Sequence, residues 1–139
     1  MRARLLWPAL MLASTSALTS ALAANGIDVR RGDDRIEFGS CVPSLTVENK
    51  SGETVDFLEV DLVVSLVNGQ ERTVALRSAY RDGVHYPIAP GGKAVLKQQL
   101  DLERAIGAPC GEVKARRVTG TICELAGGKK CTAAVSVVP

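Results

Sequence analysis

Few side chains in this sequence can do chemistry, and their spacing narrows what they can do. His85 is the single histidine. A hydroxyl or thiol nucleophile needs a base within hydrogen-bond reach, and histidine is the usual one. His85 stands between Val84 and Tyr86 in a short alternating stretch and is expected to face away from both, as a surface histidine does. Glu59 and Asp61 are two apart, which on a strand places both on one face about 7 Å from each other. Such a pair can do acid–base work or bind calcium. The same spacing also suits ion pairing with Arg or Lys on the next strand, and that is the expectation here. Copper and zinc sites need clustered His, Cys or Met. Outside the first 24 residues there is one His and no Met. No metal or other cofactor is expected, and the sequence reads as a non-enzyme.

The four cysteines are Cys41, Cys110, Cys123 and Cys131, with no C-x-x-C among them. An even count in a small exported domain implies two disulfides. Three pairings are possible. Cys123 and Cys131 flank the glycine-rich reversal Ala126-Gly127-Gly128-Lys129, and a hairpin centred on Gly127 brings them opposite one another. That pairing leaves Cys41 with Cys110, a loop long enough to stabilise the fold by about 4 kcal/mol.

Export is read from the N-terminus. Arg2 and Arg4 precede an apolar run from Leu5 to Leu22, and Ala21-Leu22-Ala23 supplies a small-residue cleavage site. Residues 1–24 are therefore expected to be a signal peptide and 25–139 one domain. No later stretch is apolar enough to span a membrane, so none is expected after cleavage; the location is periplasmic or secreted. Removing Arg2 and Arg4 takes the 17 basic residues to 15, against 15 acidic ones. A chain without excess charge is a poor match for nucleic acid or an anionic membrane.

The strand that must position everything else runs from Leu58 to Val67. Leu58, Val60, Leu62, Val64 and Leu66 alternate with Glu59, Asp61, Val63 and Ser65, the period of a strand with one buried face. Val55 and Phe57 are out of phase with it, predicting a bulge or a change of sheet near Phe57-Leu58. Asn68-Gly69 predicts a tight hairpin into Glu71–Ala79. Ile27 and Val29 suggest a short edge strand, Ile36 and Phe38 a short strand with both on one face, and Leu45 to Val47 a strand stopped at Asn49-Lys50-Ser51-Gly52. Val84 to Ile88 reads as an edge strand held short by Pro87 and Pro90. Lys93 to Leu100 is a further strand, and Asp101 to Ile106 a helical turn. Glu112–Leu125 and Lys130–Val138 form a closing hairpin, in which Val118 and Ile122 share one face while Val135 and Val137 fall on the other. The whole is all-β: an antiparallel Greek-key sandwich of fibronectin type III or immunoglobulin style, with seven or eight strands and two disulfides. Trp7, the single tryptophan, lies in the leader, which favours the fibronectin-type variant.

Candidate interface residues lie on the closing stretch. Lys114, Arg116, Arg117, Lys129 and Lys130 either form a basic edge for an acidic partner or protect that edge from pairing. Val135 and Val137 end the chain in a strand that can exchange between protomers or add to a partner's sheet. Arg31-Gly32-Asp33 matches an integrin-binding tripeptide but is read as a turn. Asn49-Lys50-Ser51 is formally a glycosylation sequon.

The leader, the four-cysteine domain, the S-G-x-x-V-x-x-L-x-V-D-L run from Ser51 to Leu62, the Pro90-Gly91-Gly92 turn and the small Cys123–Cys131 loop together resemble the interleukin receptor mimic protein A family. The resemblance covers nearly all of 25–139. It implies a small secreted or periplasmic bacterial protein of fibronectin type III-like fold that binds another protein, as a strand-exchanged homodimer in one form; cytokine mimicry is known for the family's namesake. No binding residue carries across. The expectation is a non-catalytic exported binding protein, with a periplasmic accessory subunit acting by strand addition as the alternative.

Overall fold

The computed structural model describes residues 25–78, 86–98 and 106–139. The leader, Val84, His85 and the helical turn expected at 101–106, save Ile106, lie outside the described residues. The alternating run forms β5 (Phe57–Leu66). Leu58, Val60, Leu62, Val64 and Leu66 all point inward and are buried. β5 pairs antiparallel with β6 (Glu71–Arg77) on one side and β8 (Val113–Glu124) on the other. The other strands are β1 (Ile27–Arg31), β2 (Arg35–Glu37), β3 (Ser40–Val42), β4 (Ser44–Asn49), β7 (Lys93–Gln98) and β9 (Val135–Val138).

Seven of these run in the order β8-β5-β6-β7-β4-β1-β9, while β2 and β3 make a separate hairpin. β6 and β7 share only the pairs Leu76↔Gln98 and Arg77↔Lys97. At that narrow join the sheet folds over itself into two layers. Leu58, Val60, Leu62, Val74 and Leu76 of one layer then share a core with Ile27, Val29, Leu45, Val47 and Leu96 of the other. This is the expected all-β sandwich, but the parallel pair β1–β9 makes its seven-stranded sheet mixed where a wholly antiparallel one was expected. No helix among the described residues is long and apolar enough to cross a membrane.

The closing hairpin is corrected. After β8 the chain doubles back only briefly, through the pair Glu124↔Lys130, the bond from the Leu125 N–H to the Lys129 carbonyl and the bond from the Cys131 N–H to the Cys123 carbonyl, 3.0 Å, and β9 does not pair with β8. The chain then crosses to the other layer, where β9 lies parallel to β1, with Ile27↔Val135 and Val29↔Val137 in register. Val135 and Val137 need the core side, which β1 offers them through Ile27 and Val29. β1 is consequently an interior strand, paired with both β4 and β9, not an edge.

Of the bulge or change of sheet expected near Phe57-Leu58, the bulge is absent: β5 stays regular there, and the chain instead changes partner, Val55 being buried by an isolated bridge to Ile88, which with exposed Tyr86 is what the described residues retain of the 84–88 strand. The extra residues sit on β8. Asp61 pairs with Gly120 but Leu62 with Val118, leaving Thr119 over; Ser65 pairs with Ala115 but Leu66 with Val113, leaving Lys114 over. Each bulge resets the alternation. Val118 therefore packs inward while Ile122, opposite Glu59, faces out, so the two do not share a face.

Two turns differ in detail. Gly69, with φ 84°, is the only residue of the Asn68-Gly69 pair at positive φ, and the loop closes between Leu66 and Gln70 at 2.8 Å. The Asn68 side chain instead accepts the Gln70 N–H. β2 stops at Glu37, so Phe38 leaves the face of Ile36 and becomes the turn residue of the β2–β3 hairpin, at φ 49° and 92% exposed.

Candidate functional site

The chemistry-bearing residues fall in separate places. Glu59 and Asp61 lie on the outer face of β5, in a shallow depression shared with Thr73, Ala75, Arg77 and Thr119. Arg77, opposite Glu59 on β6, donates a short hydrogen bond from Nε to the Glu59 carboxylate. Burial pushes the Asp61 carboxyl up, and the neighbouring Glu59 adds to the rise. The depression holds an ion pair and a second carboxyl that gives up its proton reluctantly, with the hydroxyl-bearing Thr73 and Thr119 in its lining.

The cysteines pair as Cys41–Cys110 and Cys123–Cys131, with Cα separations of 4.7 and 5.4 Å. Asp34 lies within 4.8 Å of the first pair of sulfurs, a grouping of metal-ligand types. Those sulfurs are bonded to each other, and the acid is already engaged. Arg31 reaches it at 2.8 Å and Arg116 binds both of its oxygens. Burial raises the Asp34 carboxyl, but the bonds from Arg116 and Arg31 outweigh it and hold it below the ordinary carboxylate range. Arg116 thus leaves the candidate basic edge: it sits opposite Val64 on the inward face, its side chain 4% exposed, tying the chain before β2 to β8.

The two short motifs are structural. Arg31 of the Arg31-Gly32-Asp33 tripeptide is paired to Asp34, and a Cβ on Gly32 would stand 2.6 Å from Ser44 Oγ. The segment lies flat along β4, not on a displayed loop. Asn49 is fully buried. Its Nδ2 donates to the carbonyls of Glu53 and Ile88, at 2.7 and 3.0 Å, and its Oδ1 accepts from the N–H and hydroxyl of Ser51. Glu53 extends this network: its carboxylate accepts from the Thr132 N–H and hydroxyl and the Ala133 N–H, contacts that hold its acid form low and fix the chain just before β9. Sequence reasoning missed both roles; an Asn followed by Ser and Glu at a turn was the available signal.

What the topology does bring together are the two ends of the sheet. β8 and β9 flank a groove of about 430 Å³ lined by Thr121, Ile122, Cys123, Glu124, Lys130, Cys131, Ala133 and Val135. The Cys123–Cys131 disulfide closes one end of it. Lys129 and Lys130 sit exposed beside that disulfide, and Lys114 and Arg117 are exposed further along β8. Val135 and Val137 are half-buried against the core from the opposite side of the groove.

Comparison with solved structures finds this fold in IrmA from Escherichia coli, with a TM-score of 0.54 and 12% identity over 81% of this chain and 90% of that one. The likeness is one of fold, and the fold is the one the sequence resemblance implies. No protein-family model matches the chain, and no curated protein matches its sequence.

Proposed function

We propose that this chain is a non-catalytic, exported β-sandwich that binds another protein. The observation that carries the proposal is the pair of sheet ends, β8 and β9, lying side by side around a groove of mixed polar and apolar lining that holds Lys130 and Glu124, with exposed Lys129 beside it. A small domain with two disulfides suits an oxidising compartment, which supports export. The chemistry-bearing groups support a binding role, because Glu59 and Asp34 are spent on arginines and the cysteines on each other. The fold shared with IrmA supports a domain of this shape without assigning its partner.

A strand-exchanged homodimer is a second form of the same reading. It is favoured by β9, a four-residue terminal strand attached in parallel to β1 after a crossing segment. Affinity capture with the immobilised protein, followed by mass spectrometry and reciprocal binding of the recovered partner, tests the main proposal. A saturable complex is the expected result; no complex from envelope or medium, together with a monomer at all concentrations in sedimentation, overturns it.

A further inference from the structure

Backbone directions on both sides of the β8–β9 groove follow from the register. The Cys123 carbonyl accepts from Cys131, so it points away from β5. Leu58, its partner on β5, turns its own N–H to Ser78 Oγ and its carbonyl to the Ser78 N–H, on the β6 side. Pairing is regular from Cys123↔Leu58 to Thr121↔Val60, so the Thr121 N–H and carbonyl also point away from β5. On the other wall, Ala134 gives its carbonyl to the Ile27 N–H at 2.9 Å, so by alternation Val135 and Val137 present theirs away from β1. No hydrogen bond to these outward groups of Thr121 and Val135 is found among the described residues.

The rest of the β8 edge is guarded. Lys114 and Thr119 are bulged, and the ion pair of Arg116 with Asp34 ties the segment before β2 to β8. Only the stretch from Gly120 to Cys123 remains regular up to the disulfide. With Arg116 consumed, the segment from Glu112 to Lys130 carries Lys114, Arg117, Lys129 and Lys130 against Glu112 and Glu124.

We infer that this groove is an acceptor for an extended, acidic segment of a partner protein, which adds as a strand to Gly120–Cys123 of β8 and reaches Val135 of β9 across the opening. A polypeptide is the occupant whose alternating donors and acceptors match both edges. Ile122, Ala133 and Val135 offer apolar contacts to its side chains; Lys130 and Glu124 balance in the lining, and exposed Lys129 beside the disulfide, with Lys114 and Arg117 further along β8, tips the selection toward acids among its others. The inference rests on the protein-binding reading and locates its site.

The test uses the purified disulfide-bonded protein and a short synthetic peptide alternating valine with glutamate, followed by amide hydrogen exchange and NMR shifts. Protection concentrated on the Thr121 and Val135 amides is expected. Affinity should drop about tenfold for the valine–lysine peptide and for K129E/K130E, and be abolished for a backbone N-methylated peptide. T121P removes an outward N–H that makes no ladder bond, so it should unfold like the parent yet bind the peptide about tenfold more weakly. Should that variant fail to fold, the exchange footprint on the parent protein decides. Equal binding of the methylated peptide, protection elsewhere, or protection of Thr121 that rises with protein concentration alone, as a second copy would cause, overturns the inference. If the peptide fails while protein capture succeeds, the site is elsewhere and the protein-binding reading stands.

Discussion

Arg116 lies opposite Val64 across the β5–β8 ladder, on the apolar face, and both oxygens of Asp34 receive its guanidinium. Without the bulge at Thr119, Arg117 and not Arg116 would stand opposite Val64. Removing Asp34 strands the Arg116 guanidinium, 4% exposed, and removing Arg116 leaves Asp34, 10% exposed, with Arg31 as its remaining ion-pair partner. D34A or R116A is expected to lower unfolding stability by about 3 kcal/mol. Urea denaturation of each single variant checks this, and a loss below about 0.5 kcal/mol, the level of an ordinary surface change, would refute it.

Phe38 holds a left-handed conformation with almost no side-chain contact to offset it. Glycine there would remove the clash of the Cβ with its own backbone, and asparagine tolerates the left-handed region because its short polar side chain hydrogen-bonds locally. F38N is expected to raise stability by about 1 kcal/mol, seen as a higher melting temperature. An unchanged or lower melting temperature would show that the turn is relaxed as it stands.

The disulfides differ in the chain they close: residues 41 and 110 are 69 apart, residues 123 and 131 only 8. Loop-closure entropy puts their contributions at about 4 and about 2.5 kcal/mol respectively. Paired Cys-to-Ala variants compared by thermal unfolding should follow that order. The reverse order would mean that Cys123–Cys131 acts through the groove it closes and not through the unfolded chain.

Asn49 satisfies four groups while wholly enclosed. N49A leaves the Ser51 N–H without its partner and takes one donor each from the carbonyls of Ile88, which keeps the Val55 N–H, and Glu53, which keeps the Ser51 hydroxyl, and is expected to cost about 2–4 kcal/mol. Because Asn49 Nδ2 is committed inside, N49A and the parent should give the same mass when recovered from a glycosylating host, apart from the substitution itself.

Acid titration should show two opposed trends. Asp28, Asp34 and Glu53 are held below their ordinary values, Asp28 chiefly by Lys50. Their stabilisation is complete above the unfolded carboxylate range, about pH 4, and fades as pH falls through the lower folded values. Asp61 is raised by burial and by Glu59. Its protonated form favours the fold, so its contribution is lost as pH rises from about 4 through its folded value. D61N should therefore gain stability relative to the parent at neutral pH and converge with it in acid. Parallel stability curves for the two proteins would refute this.

The alternation from Leu58 to Leu66 was enough to identify the spine, because a period of two is a local property of the chain. The turns at Asn68-Gly69 and Gly127-Gly128 and the spacing of Cys123 and Cys131 were legible for the same reason: each is settled within a few residues. The candidate cations were legible as residues but not as a surface, since Arg116 differs from Arg117 only by which way a bulge turns it.

The sequence by itself determined an all-β domain around a known strand, with both disulfide partners identifiable from a hairpin and elimination. Only the tertiary structure decided that β9 leaves β8 to lie along β1, that Thr119 and Lys114 bulge, and that the two sheet ends border one groove. Those outcomes depend on which apolar face finds cover across the sandwich, a competition between segments more than a hundred residues apart, as Ile27 and Val135 are, and nothing in the local pattern of either segment records its result.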